Sequence, residues 1–480
     1  MSLCAGLAEK AGDLLVVANR LPVHRTESGW ETSPGGLVSA LMPLLQKRHG
    51  IWVGWAGSGS GELTSFHHDG IANVPVRLSD DEVRDYYEGF SNSTLWPLYH
   101  DACQQPHFHR HWWRPYVAVN QRFAEVAARE AAPGASVLVQ DYHPQLVPGM
   151  LRQLRPDLRI GFFLHIPFPP VELFAQLPWR QRILEGLLGA DVIGFQTRPG
   201  AQNFIRLVNR FTAHRGANQV IDVGGRSVEA REFPISIDFE KIDRLAADPV
   251  IIQRAKEIRD ELGENRVLML GVDRLDYTKG IDQRLWAVHE IFKSGRRTVD
   301  DLVFVQVSVP SREKVDEYVE IRDRIETLVG HINGEFSEVG KVPVHYLRRN
   351  LPIEELVAYY LAADVMLVTP LRDGMNLVAK EYCAARRDDT GVLVLSEFCG
   401  AAHELERALF VNPHDIDGMA FAIERAIAMP RGEQVRRMRS LRQRVRRRTV
   451  YDWADDFTSA LTGLPVSVEL ATLALPGGAP

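Results

Sequence analysis

Cysteine is scarce in this chain. Its 480 residues hold four (Cys4, Cys103, Cys383 and Cys399), scattered with no CxxC pair, which fits a reduced cytosolic protein better than a disulfide framework or a zinc site. Long apolar runs are lacking too: no stretch approaches the roughly 18 residues that cross a bilayer. The opening MSLCAGLAEKAGD has no signal-peptide apolar segment, so a cytoplasmic protein with no membrane partner is expected. Nor does one sign of charge dominate: 56 Lys+Arg against 62 Asp+Glu leave −6, which argues against a chain that coats nucleic acid. Several nucleotide and hydrolase signatures are missing, namely GxxxxGK[ST], GxGxxG after a strand, GxSxG and HExxH. P-loop phosphoryl transfer and simple dinucleotide binding thereby lose their main support.

What the sequence does have is the composition of an ordinary globular protein, 45% hydrophobic and 25% charged, with length for two or three domains. Short β-branched runs recur, each followed by helical patterning. They are Asp13–Ala18, Ile51–Trp55, Ser136–Gln140, Ile160–Leu164, Asp191–Phe195, Val267–Gly271, Leu302–Val307, Asp364–Val368 and Gly391–Ser396. Continuous apolar runs of this length suit strands covered on both faces by helices, so the expected class is α/β with parallel sheets. Glu232–Pro249 interrupts the series with prolines and mixed charge and reads as the crossing between two doubly wound domains. Two such domains leave a cleft at the carboxyl ends of their strands, where α/β proteins place ligands. No internal repeat is present, and the tail after Pro465 is low in charge and expected to be loosely held.

Two segments invite other readings. Arg431–Arg448 carries nine arginines and one acid, Glu433, but Val435, Met438, Leu441 and Val445 fall on one helix stripe, which favours a solvated basic face over nucleic-acid binding. His107, His109 and His111 alternate, and on a strand three imidazoles would share one face and could hold a metal. The interleaved Phe108 and Arg110, followed by Trp112 and Trp113, favour a packed amphipathic segment, and no metal is expected.

The remaining polar signals sit at strand ends. Arg20 follows the first strand, and Ser33–Leu37 sets Gly35 and Gly36 before a helical pattern, where backbone N–H groups can approach a phosphate or sugar. Gly57, Gly59 and Gly61 read as a flexible loop. Val272–Gly280 supplies Arg274 and Lys279, and Val309–Glu313 supplies Arg312. Thr369–Tyr382 places Asp373 and Gly374 before a helix expected from Asn376 onward, with its N-terminal N–H groups offered to an anion. Glu381 lies eight residues beyond Asp373, roughly 12 Å along a helix. That spacing suits one carboxylate on a hexose and the other on a ribose with a diphosphate between; it equally suits a capping aspartate and a surface glutamate.

The motifs NRLP, GGL, WVGWAG, FSNSTLWPLYH, VQDYHPQLVP, FFLHIPFP, DRLDYTKG, SRE and TPLRDGMNLVAKEY, in this order from about Leu14 to Phe457, closely resemble the trehalose-6-phosphate synthase family. The resemblance implies a GT-B architecture, two Rossmann-like domains facing across a cleft. It implies an acceptor domain over 1–238, joined by a C-terminal helix at about 452–465, and a donor domain over 239–451. The implied activity is transfer of glucose, with retention, from a nucleoside-diphosphate glucose (UDP-, ADP- or GDP-glucose) to C1 of glucose 6-phosphate. Carried over by motif, Arg20, Tyr87, Trp96, Asp141 and Arg312 would hold glucose 6-phosphate. Gly35, Gly36, His165, Arg274, Lys279, Leu351, Asp373 and Gly374 would hold the donor, with Met375, Asn376, Leu377, Val378, Ala379, Lys380 and Glu381 around its helix. Asp141, His165, Arg274, Lys279 and Asp373 would surround the reacting atoms. No cofactor is implied, the partners are small-molecule substrates, and a homo-oligomer is expected because relatives are often dimers or tetramers.

In the mechanism the resemblance implies, Arg274, Lys279 and helix N–H groups stabilise the leaving diphosphate without a metal, and attack is front-side. The chain departs from the family pattern at Ala18, where Ser is frequent, and at Leu347–Asn350, a loop beside the base, which leaves the donor nucleotide open. Ending at Pro480, the chain is expected to lack the phosphatase domain fused to some relatives. Other readings stay open at this level: a sister transferase making sucrose phosphate or a glucan, a catalytically silent sugar-phosphate sensor, and nucleic-acid binding by the arginine helix.

Overall fold

In the computed structural model, residues 12–26, 29–33, 36–57, 63–313 and 315–463 are described. Each of the nine apolar runs forms a strand, because runs with few polar breaks can be buried on both faces. They divide between two sheets. The first has ten strands in the order Arg215–Ala217, Val220–Val223, Arg226–Glu232, Val192–Phe195, Arg159–Phe163, Ala131–Gln140, Gly12–Arg20, Ile51–Trp55, Ile71–Pro75 and Phe66–His68. Its seven central strands run parallel, and antiparallel additions close both edges. The second sheet is parallel throughout, in the order Val344–Leu347, Leu302–Val309, Val267–Arg274, Val365–Val368, Val392–Ser396 and Leu409–Val411.

The crossing at Glu232 is extended and then helical. Phe233, Ile235 and Ile237 alternate inward and are buried, and Asp238 caps the helix Phe239–Leu245 by accepting from the Lys241 N–H. At the far end, helix Val450–Thr462 returns to the first sheet, where Trp453 and Phe457 meet Phe163 edge-on and Phe457 also meets Phe233.

The arginine-rich segment is helix Arg431–Arg447, with Met438, Leu441 and Val445 buried. Arg437, Arg439, Arg442, Arg446 and Arg448 form ion pairs with Glu433, Asp389, Asp243, Glu240 and Asp456, so much of this charge is matched within the chain. The alternating histidines do not lie on a strand. His109 precedes helix Arg110–Glu130, His111 sits in its first turn, and His107 reaches Glu317, 3.2 Å away on a helix beside the second sheet. Among the described residues, no helix is long and apolar enough to cross a membrane. The tail after Pro465 and the glycines Gly59 and Gly61 lie outside the described residues.

Candidate active site

The carboxyl ends of both sheets face one cavity of about 620 Å³. On the first sheet, strand Gly12–Arg20 ends by presenting Arg20, an exposed side chain whose guanidinium lies 4.0 Å from the Trp55 ring centroid and 5.4 Å from that of Tyr87. Gly57, at φ +90°, leaves room for it: a Cβ there would stand 2.0 Å from Arg20 Nη1.

Tyr87 belongs to Val83–Leu95, a π-helix, a rare form that recurs at functional sites. That helix delivers Trp96, whose ring lies 3.8 Å from the Arg312 guanidinium carbon and 5.3 Å from that of Arg274. Burial opposes ionisation of the Tyr87 phenol, but the Arg312 and Arg20 charges outweigh it and hold the group below its ordinary range.

Asp141 follows strand Ala131–Gln140 at φ +72°, a left-handed conformation uncommon outside glycine. Its backbone N–H donates to the Phe163 carbonyl at 2.7 Å, and its Oδ1 accepts from the His165 N–H at 3.3 Å. Burial pushes its carboxyl up to about 6 against the opposing pull of the His165 and Tyr142 N–H groups and of Arg274 and Arg312. His165 packs edge-on to Phe163, and its Nε2 lies 2.9 Å from Gln140 Oε1. Burial brings its imidazole down to about 3, which favours the neutral ring at physiological pH.

The second sheet contributes charge. Lys279 Nζ donates to Asp373 Oδ2 at 2.6 Å, and Asn376 Nδ2 donates to the same oxygen at 3.2 Å. Burial would raise the Asp373 carboxyl, but the Lys279 ammonium outweighs it and keeps the group ionised. Gly374 sits where the lobes touch: a Cβ there would stand 2.1 Å from the His165 carbonyl oxygen. Asn376, at φ +75°, caps helix Leu377–Ala385 by accepting from the Ala379 N–H, leaving the Leu377 and Val378 N–H groups without an intrahelical acceptor.

The cavity therefore gathers Arg20, Tyr87, Trp96, Asp141, His165, Arg274, Arg312 and Asp373 in its wall, with Lys279 bonded behind Asp373. Other sequence candidates lie elsewhere. Met375 is buried, and Leu351 is partly buried in the loop before helix Ile353–Ala362. Glu381, its carboxyl raised by burial, accepts from the Tyr360 hydroxyl at 2.9 Å. The Lys380 side chain points away from the cavity, into a buried contact with the Ile235 carbonyl and Glu404, both at 2.8 Å. Gly36 opens helix Gly36–Arg48, and Gly35 lies outside the described residues.

Sequence reasoning missed the groups that hold the cations. Asp276, wholly buried, lies 3.6 Å from Arg312 Nη1 and 3.9 Å from Arg274 Nη2, and its Oδ1 accepts from the Thr278 N–H at 3.0 Å. Burial would raise it, yet Arg312, Arg274 and Lys279 together bring it down to about 2. Arg312 also donates to the Tyr142 hydroxyl across the cleft at 2.9 Å and to the Tyr318 hydroxyl. Both ring nitrogens of His143, stacked on Tyr87 and tilted against Tyr142, are buried without a partner, as is Nε1 of Trp96. Unmatched polar atoms in a cavity wall are a signature of a polar ligand. Asp276, Tyr142 and His143 stand inside the quoted motifs DRLDYTKG and VQDYHPQLVP, so the signal was adjacency to a chosen residue.

Comparison with known proteins extends the geometry. The model of glycosyltransferase family 20 matches residues 12–463. A trehalose-6-phosphate synthase from Mycobacterium sp. (strain KMS) is 56% identical over 470 residues, 95% of this chain and 96% of that protein. Among solved structures, a UDP-forming α,α-trehalose-phosphate synthase from Burkholderia xenovorans in complex with glucose-6-phosphate has a TM-score of 0.85 at 34% identity, covering 93% of this chain and 99% of that one. A structure from E. coli bound with UDP-2-fluoro glucose has a TM-score of 0.86 at 33% identity, covering 93% and 98%.

Proposed function

The chain belongs to glycosyltransferase family 20, and from that premise we propose that it transfers glucose with retention from a nucleoside-diphosphate glucose to C1 of glucose 6-phosphate, giving trehalose 6-phosphate. One observation carries the reading: Arg20 from the first sheet and Arg312 from the second both reach Tyr87, and Arg312 also lies against the ring of Trp96. Two forked guanidiniums from opposite lobes suit a phosphate dianion, and the rings suit the apolar face of the sugar that carries it.

In this reading residues 1–238 with the terminal helix form the acceptor lobe, and 239–451 form the donor lobe. Asp141 orients the acceptor hydroxyls. Arg274, Lys279 and the helix N–H groups beside Leu377 take up the charge that develops on the leaving diphosphate, and Asp373 holds the transferred glucose. Glu381 meets the ribose and the Leu351 backbone meets the base. Attack is front-side, the diphosphate oxygen helping to remove the acceptor proton, and lobe contact excludes water. The chemical step needs no divalent metal, because fixed cations already occupy that place.

The test combines purified chain, glucose 6-phosphate and each of UDP-, ADP- and GDP-glucose, with and without chelator, followed by proton NMR of the product. An α,α-linked disaccharide phosphate formed at equal rate with chelator is expected. Donor hydrolysis alone, or a β-linkage, would sink the proposal.

A further inference from the structure

A second cluster of metal-ligating groups lies in the same half of the chain as the donor-side cations but away from the cavity. His289 is on helix Ile281–Lys293, and His331 and Glu335 are on helix Asp316–Phe336. One ligand atom from each falls within 4.8 Å of the others. His331 and Glu335 are four residues apart, so they share one helix face. His289 Nε2 lies 3.1 Å and His331 Nε2 3.5 Å from the same oxygen, Glu335 Oε2. Bonds of about 2.0–2.2 Å at tetrahedral angles place neighbouring ligand atoms about 3.4 Å apart, so both distances already suit a shared ion.

His289 gives the second argument. It is 4% exposed, lies edge-on to Phe336, and its other nitrogen, Nδ1, lies 3.3 Å from Glu290 Oε1. A neutral imidazole has one N–H and cannot donate to two carboxylates. Coordination through Nε2 removes the conflict, since Nδ1–H then donates to Glu290, the carboxylate–histidine–metal arrangement that fixes a ligating ring. Two imidazoles and one carboxylate select a zinc-class first-row ion over magnesium or calcium, which prefer all-oxygen shells.

We propose that His289, His331 and Glu335 bind one zinc-class divalent ion, with Glu290 orienting His289. The site is structural. Helix Ile281–Lys293 starts beside Lys279, and helix Asp316–Phe336 starts shortly after Arg312; the ion joins the two helices toward their other ends. His289 is ten residues from Lys279, about 15 Å along a helix.

The experiment uses the metal-free full chain with zinc alone by calorimetry, and cobalt alone by visible absorption. Wild-type protein should bind one zinc, show the intense bands of a tetrahedral cobalt site, and melt about 5 °C higher at a hundredfold excess over Kd. His331→Ala and Glu335→Gln, both on an exposed face, should weaken binding at least tenfold, and Glu290→Gln about tenfold. A His107→Ala/His109→Ala chain should bind as wild type does. Chelation should lower the melting temperature and leave kcat within twofold. Wild type that takes up no zinc, or His331→Ala and Glu335→Gln chains that bind it unchanged, would show that the cluster is only an ion-paired histidine and overturn the proposal.

Discussion

The two walls of the cavity are built on opposite electrostatic plans. On the second sheet every cation near the site has a carboxylate: Lys279 has Asp373, Arg274 and Arg312 have Asp276, and behind them Arg284 pairs with Asp273 at 2.6 Å, both buried. On the first sheet Arg20 forms no ion pair among the described residues and rests on Trp55, while His143 and Trp96 keep unmatched polar atoms. Charges dense enough to receive a diphosphate would repel one another without internal counterions. A wall that meets a single phosphate can leave its cation to solvent and its polar atoms to the ligand. The wall on the second sheet should therefore couple activity to stability, and the wall on the first sheet should not.

The largest effect is expected from Asp276→Asn. Removing the shared counterion leaves the buried Arg312 without a carboxylate beside the half-exposed Arg274, so stability should fall by about 3–5 kcal/mol, with turnover nearly abolished. Urea unfolding alongside activity reads both, and a variant with wild-type stability would refute the plan for the second wall. Lys279→Ala comes next. It should lower kcat by about 10²–10³ through lost stabilisation of the leaving group, with a smaller loss of stability because Asp373 keeps Asn376.

Arg20→Ala tests the other wall. With no carboxylate partner and an exposed side chain, it should raise KM for glucose 6-phosphate about tenfold to a hundredfold and leave the unfolding midpoint unchanged. Arg312→Ala should raise the same KM and also destabilise, because it strips Asp276 of a buried partner. Equal unfolding midpoints for the two variants would erase the distinction between the walls.

Much of this was legible in the sequence, for physical reasons that differ by element. The nine buried strands announced themselves because parallel strands covered on both faces must be apolar throughout. The short edge strands Val344–Leu347 and Leu409–Val411 did not, since each is only three or four residues long and mixes buried with half-buried or exposed positions. Arg20, Arg274, Arg312 and Asp373 were readable as strand-end polar residues, the place where α/β sheets put ligands. Asp276 was not: a lone aspartate among charged neighbours looks solvated until three-dimensional contact shows it buried beneath two arginines. Lys380 shows the opposite limit: its motif places it on the donor helix, and only the helix's rotation turns its ammonium toward Glu404.

The pH response also separates the walls. Asp141 titrates at about 6, above its unfolded value of 3.8, so it is ionised at pH 7 and protonated by pH 5. A protonated carboxyl loses acceptor capacity for sugar hydroxyls, so KM for glucose 6-phosphate should rise severalfold across that interval, and Asp141→Asn should flatten the change. The stability sign is opposite. A raised acid favours the folded state most when protonated, so this contribution is present at low pH and is lost as pH rises from 3.8 through 6. Asp276, brought down to about 2, contributes stability above 3.8 that is lost as pH falls through 2.

The smallest effect is expected where the lobes meet outside the cavity. His107 and Glu317 form a cross-cleft pair at 3.2 Å, with the His107 side chain 44% exposed. With its histidine open to water and Glu317 only partly covered, such a pair contributes about 0–1 kcal/mol, because water screens it and ordering two side chains opposes it. His107→Gln should thus shift kcat by less than twofold at pH 7. The buried cross-cleft contact between Arg312 and Tyr142 has neither handicap. Tyr142→Phe should therefore perturb acceptor binding more than His107→Gln, measured as KM for glucose 6-phosphate at fixed donor. If the histidine variant proved the more damaging, lobe approach would depend on the rim and not on the arginine that reaches across from the charged wall.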